Sequence, residues 1–127
     1  MRRFLIAPLA IMAVTGPLTS PAQAAAPITG RYLTEGGRSV VLIDKCGATL
    51  CGKVVKVNVV KPGSPSFEGT TILSGLVDAG PTWAGKILNP ADGKSYNAKL
   101  SLNPNRSLKI EVCVSFICKG LNWTSVN

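Results

Sequence analysis

From residue 25 onward, apolar and polar positions alternate in short runs separated by glycine, proline and asparagine. A period of two marks a strand with one buried face. The clearest pair spans Trp83 to Tyr96. Trp83, Gly85 and Ile87 share one face of an incoming strand; Tyr96, Ala98, Leu100 and Leu102 share one face of an outgoing strand. Between them, Asn89-Pro90-Ala91-Asp92-Gly93 has the chemistry of a turn: proline fixes one φ angle, aspartate bonds nearby backbone, and Gly93 takes positive φ. The two apolar faces are expected to meet in one core.

The same alternation predicts strands over Ile28–Thr34, Arg38–Ile43, Lys53–Val60, Thr70–Val77, Leu108–Val114 and Gly120–Val126. A bend is expected at Gly75. In Lys53–Val60, Val55, Val57 and Val59 are assigned to the inner face, with Val54 on a mostly wet one. Lys61-Pro-Gly-Ser-Pro-Ser66 reads as a loop. No run sustains a 3.6-residue period with caps, so no helix is predicted. About eight short strands in sequence predict an all-β fold, an antiparallel meander closed or nearly closed into a small barrel, with a β-sandwich as runner-up. Closure removes exposed strand edges. The pattern leaves open whether the interior is packed or holds a small pocket.

The first 24 residues follow a different rule. Met1-Arg2-Arg3, an apolar run from Phe4 to Val14 and Ala22-Gln23-Ala24 form a signal peptide, residues 1–24, with cleavage expected after Ala24. The run is broken by Pro8 and falls short of the ~20 residues a membrane span needs. Removing 24 of 127 residues leaves 103, a single domain over 25–127 with no second apolar segment, so no transmembrane span is expected in the mature form. The expected location is periplasmic or secreted.

Export changes the reading of the four cysteines, 46, 51, 113 and 118. An even count on an oxidising route points to disulfides. Of the three pairings, Cys46–Cys51 and Cys113–Cys118 are favoured, because each pair flanks a short turn between strands. Such small loops gain roughly 2 kcal/mol at most, so their expected role is to hold register. The rival is a zinc site with four cysteine ligands, which the oxidising route opposes.

The formal charge of +8 falls to +6 without Arg2 and Arg3, and the remaining basic residues are scattered. This suits a solvated surface or an anionic envelope surface as partner. Without a basic cluster or recognition motif, nucleic acid is not an expected partner. The chain has no histidine and only six acidic residues. Histidine-dependent triads and zinc–histidine sites are thereby excluded in their usual forms, and no catalytic, metal or cofactor-binding set is assigned. Asp44, Asp78 and Asp92 read as turn residues. Among the aromatics, core packing competes with a ligand-lining role. If a small apolar molecule binds, Trp83, Tyr96 and Tyr32 are the residues expected around its entrance.

Four motifs together resemble the exported bacterial family catalogued as domain of unknown function 2147. They are Gly30-Arg31-Tyr32; Cys46-Gly-x-x-Leu-Cys-Gly-Lys53; Trp83-x-Gly-Lys-Ile-x-x-Pro-x-x-Gly-Lys-x-Tyr96; and Leu108-x-x-x-x-Cys113 followed by Cys118 and Trp123-Thr124. The resemblance implies an exported β-rich protein with no agreed activity, substrate or cofactor. Members usually carry a longer acidic, arginine-containing insert where this chain has the short Lys61–Glu68 segment. The resulting expectation is a non-enzymatic β-barrel module that binds a small apolar or amphipathic ligand. Its rivals are a structural or protein-contact component of the envelope and an unrecognised hydrolase or inhibitor.

Overall fold

The computed structural model describes residues 25–58 and 66–126. Its eight strands are β1 (Gly30–Leu33), β2 (Ser39–Cys46), β3 (Thr49–Val57), β4 (Thr71–Asp78), β5 (Trp83–Asn89), β6 (Lys94–Leu102), β7 (Leu108–Val114) and β8 (Ile117–Val126). Each pairs antiparallel with the next, and β8 pairs with β1, so the meander is a closed barrel rather than a sandwich. The β5–β6 register follows from the alternation. Trp83 faces Leu100, Gly85 faces Ala98 and Ile87 faces Tyr96. The turn between them is held by Ala91 N–H on Asn89 Oδ1 (3.0 Å), Lys94 N–H on Asp92 Oδ1 (2.8 Å) and Gly93 N–H on the Asn89 carbonyl (2.8 Å), with Gly93 at φ 71°.

Two departures from strict alternation shape the interior. Val41 pairs with Val54 but Val40 pairs with Lys56, which leaves Val55 as an extra residue in β3. A bulge shifts side-chain parity by one. Leu50, Gly52 and Val54 therefore face inward before it, and Val57 packs against the core after it. This corrects the expected inner row: Val54 belongs inside, Val55 is half-buried, and Val59 lies outside the described residues. In β4 the register shifts between Ser74 and Val77, with Gly75 at φ 60°. The bend lets both Leu73 and Leu76 bury completely. Gly85 is the counterpart of that bend. A Cβ there would lie 2.6 Å from the Ser74 carbonyl oxygen and 2.7 Å from Leu76 Cδ2.

Three boundaries also differ. Both cysteine turns are shorter than expected, because β3 begins at Thr49 and β8 at Ile117, and the cysteines lie within paired strands. Ile28 does not start the first strand. The segment before Gly30 instead crosses one end of the barrel, and Ile28 is fully buried there. Tyr32 Oη donates to the Ile28 carbonyl (2.9 Å), Trp83 Nε1 donates to the Ala26 carbonyl (2.8 Å), and the Ala25 N–H reaches both Asp78 carboxylate oxygens (3.3 Å each). That end, with the β2–β3, β4–β5 and β6–β7 turns, is closed. The half of the barrel next to it is packed by Ile43, Leu76, Leu100, Leu108 and Ile110, among others.

Candidate functional site: an apolar cavity at the open end

The opposite end carries the β1–β2, β5–β6 and β7–β8 turns and the arrival of the chain at β4. No chain segment among the described residues crosses it as Ile28 crosses the other. The interior there is a cavity of ≈ 990 Å³. Val54, Ile72 and Trp123, all nearly buried, lie deepest in it. Its walls are Val57 of β3, Ile87 and Leu88 of β5, Val112 and Val114 of β7, and Ile117 and Leu121 of β8. Thr34, Arg38, Ser39, Ser66, Asn89, Tyr96 and Lys119 supply the polar lining. A concave, mainly apolar space with few polar groups is the usual form of a small-molecule site, and this volume is at the upper end of the usual ~300–1,000 Å³.

The cavity exists because inner-facing residues become smaller or stop toward this end. Ala98 lies on the inner row of β6, and Val112 opposite it stands where Ile110 and Leu108 fill the lower half. On β8 the inner row reads Ile117, Lys119, Leu121, Trp123, cross-strand from Val114, Val112, Ile110 and Leu108. Lys119 is thus an exposed charged residue on an otherwise apolar inner row, and it lines the cavity. Past the rim, the β7–β8 turn projects Phe116, which is fully exposed, beside Val114 and Ile117.

The three aromatics expected at an entrance separate. Tyr96 lines the cavity. Trp83 and Tyr32 are not among its lining residues. Trp83 opens β5 at the closed end, and the Tyr32 hydroxyl is committed to the Ile28 carbonyl. Burial raises the Tyr32 phenol above its ordinary value, with the Arg106 cation pulling partly the other way. At the rim, Tyr96 Oη donates to Asp92 Oδ2 (2.7 Å). That bond lowers the Asp92 carboxyl, with help from the Lys94 N–H, and raises the Tyr96 phenol. Trp123, Leu121, Arg38 and Lys119 also line the cavity, and no motif in the sequence marks them as ligand residues. For Lys119 the signal was available, because continuing the alternation of Leu121 and Trp123 backward places it inside.

The disulfides Cys46–Cys51 (Cα–Cα 5.5 Å) and Cys113–Cys118 (4.0 Å) brace opposite ends of the barrel. The first clamps the β2–β3 turn at the closed end, the second the β7–β8 turn at the rim, so the four sulfurs do not converge on one site. Glu111 lies near the second bridge, within 4.8 Å of both sulfurs, but those sulfurs are joined to each other and offer no thiolate.

Fold and site define a small disulfide-braced β-barrel, plugged at one end and hollow at the other. The chain belongs to the family described as uncharacterized protein conserved in bacteria (DUF2147), whose pattern it matches over residues 30–125. Among solved structures it is similar to protein HP1028 from Helicobacter pylori, described as belonging to the lipocalin family. The TM-score is 0.63 at 18% identity, covering 81% of this chain and 85% of that one. At this identity the likeness concerns the fold. No curated protein matches the chain. Among the described residues no helix is long and apolar enough to cross a membrane.

Proposed function

We infer that this protein is an exported, periplasmic or secreted, non-enzymatic module that takes a small apolar or amphipathic ligand into the open half of its barrel. The observation that carries this reading is the ≈ 990 Å³, mainly apolar cavity in one half of the barrel. Filling such a space with water wastes apolar surface, at roughly 25 cal/mol for each Å² left wet. The likeness to a lipocalin-family barrel supports a ligand-holding role, and the basic leader with its small-residue cleavage pattern supports export. The test is titration with N-phenyl-1-naphthylamine, an apolar probe that fluoresces when it leaves water. Saturable enhancement is expected, lost in Leu121→Trp, which narrows the cavity from its β8 wall. The absence of saturable binding to wild type, or equal binding to the blocked variant, overturns the reading.

A second reading is favoured by one observation. Phe116, Ile117 and Val114 are exposed together at the rim, and an apolar tip of this kind suits contact with another envelope component. Phe116→Ser then abolishes capture of that component and leaves probe binding intact.

A further inference from the structure

We propose that the ligand is an anionic amphiphile, with its apolar chain in the cavity and its negative headgroup held at the mouth by Lys119 and Arg38. This rests on the cavity-binding reading above and adds the ligand's chemical class and orientation. Lys119 occupies the inner row of β8 between Ile117 and Leu121, opposite Val112. A barrel that only had to stay soluble would place that charge on the outer row, where Lys109 and Glu111 of β7 already lie. On the inner row the lysine's methylene stem lies along apolar wall and its ammonium stays at the opening.

Arg38 reaches the same opening from the β1–β2 connection. Its position is fixed by backbone: the Asn58 N–H bonds the Arg38 carbonyl (2.7 Å), and the neighbouring Ser39 N–H bonds Thr34 Oγ1 (3.1 Å). The 3-10 turn just before Arg38, Glu35–Gly37, packs beside β8, the strand that carries Lys119. Lys119 and Arg38 both line the cavity at this end. No acidic residue lines the cavity among the described residues. Glu35, Glu68 and Asp92 sit in connections at this end but outside the lining, and Asp92 already accepts from Tyr96 Oη and the Lys94 N–H. Among the described residues the lining thus carries two positive charges and no negative one over an apolar floor. A carboxylate, phosphate or sulfate on an apolar chain satisfies both parts at once. A cationic amphiphile would bring its charge against Lys119 and Arg38.

Calorimetric titration of the disulfide-intact protein with decanoate, decanol, decyltrimethylammonium and acetate separates these cases. Decanoate is expected to bind about ten-fold more tightly than decanol at low salt, since each partly exposed charge contact contributes a few-fold. The advantage shrinks as salt rises. Acetate, a headgroup without a chain, does not bind. Lys119→Gln with Arg38→Gln brings decanoate down to the level of decanol measured on the same variant; both residues are exposed, and an unchanged thermal midpoint shows that the variant is folded. If decanol binds as tightly as decanoate, or decyltrimethylammonium binds more tightly, the headgroup assignment fails while the cavity reading stands. If acetate alone binds as well as decanoate, the site is an ion site and the orientation is wrong. If none of the chain-bearing probes binds, the cavity reading itself fails and this inference with it.

Discussion

Replacing Ile28 with alanine tests how the barrel is closed. Ile28 lies outside every strand yet is fully buried, with Tyr32 bonded to its carbonyl. If it plugs the lower end, truncation removes three carbons' worth of buried contact and leaves a cavity that the neighbouring strands, fixed by their ladders, cannot collapse. Truncations of this kind cost about 2–5 kcal/mol, and we take about 3. For a domain of this size each kcal/mol moves the thermal midpoint by about 4–8 °C, which predicts a fall of about 12–24 °C. Differential scanning calorimetry of the disulfide-intact protein measures it, with the exposed neighbour Thr29→Ala as a control expected to stay within about 0.5 kcal/mol of wild type. A midpoint for Ile28→Ala within about 2 °C of wild type would show that residues 25–29 are a loose tail and that the closed end is closed by something else.

Tyr32→Phe leaves the buried Ile28 carbonyl without its donor and should cost about 1–3 kcal/mol by urea denaturation; no change in midpoint would remove that bond from the account. The same phenol predicts a pH effect. Its pKa is raised above 10.0 in the folded protein, so the stability it contributes is whole below the unfolded value and is lost as pH rises through the folded one. Thermal midpoints should hold between about pH 7 and 9 and fall above about 10, and Tyr32→Phe should blunt that fall, leaving the share of Tyr96, whose pKa is also raised. Gly93→Val should cost more than about 1 kcal/mol, because valine is strained at the φ of 71° that the β5–β6 turn holds; an unshifted thermal transition would refute the turn geometry. Mass spectrometry of unreduced peptides should find Cys46 joined to Cys51 and Cys113 to Cys118, whereas peptides linking 46 to 118 would break the assignment of one bridge to each end.

Much of the fold is written in local pattern. The Trp83–Tyr96 hairpin is legible because turn chemistry sets its register and alternation sets its inner face, and the pairing of Trp83 with Leu100 follows. Gly75 marks its own bend. The β3 bulge is not legible, because Val54, Val55 and Val57 are chemically alike and only pairing with β2 decides which one is extra. Ile28 reads as strand for a similar reason: an apolar residue before a strand looks the same whether it continues the ladder or folds under it. The cavity is harder still. Alternation says which side chains face inward, not whether they meet across the barrel. That depends on how eight inner rows sum at each height, so Trp83 and Tyr32 were expected at an entrance that lies at the other end. Lys119 was readable, since its place two residues before Leu121 puts a charge on the inner row.

The most direct test of the central claim is methyl and tryptophan side-chain NMR of the labelled protein titrated with N-phenyl-1-naphthylamine. Saturable shifts are expected at Val54, Ile72, Val112, Leu121 and the Trp123 indole, which border the cavity, with Ile28 and the Trp83 indole at the plugged end unmoved. Shifts that centre on Ile28 and Trp83, that map only to outward-facing residues, or that never saturate would contradict the claim.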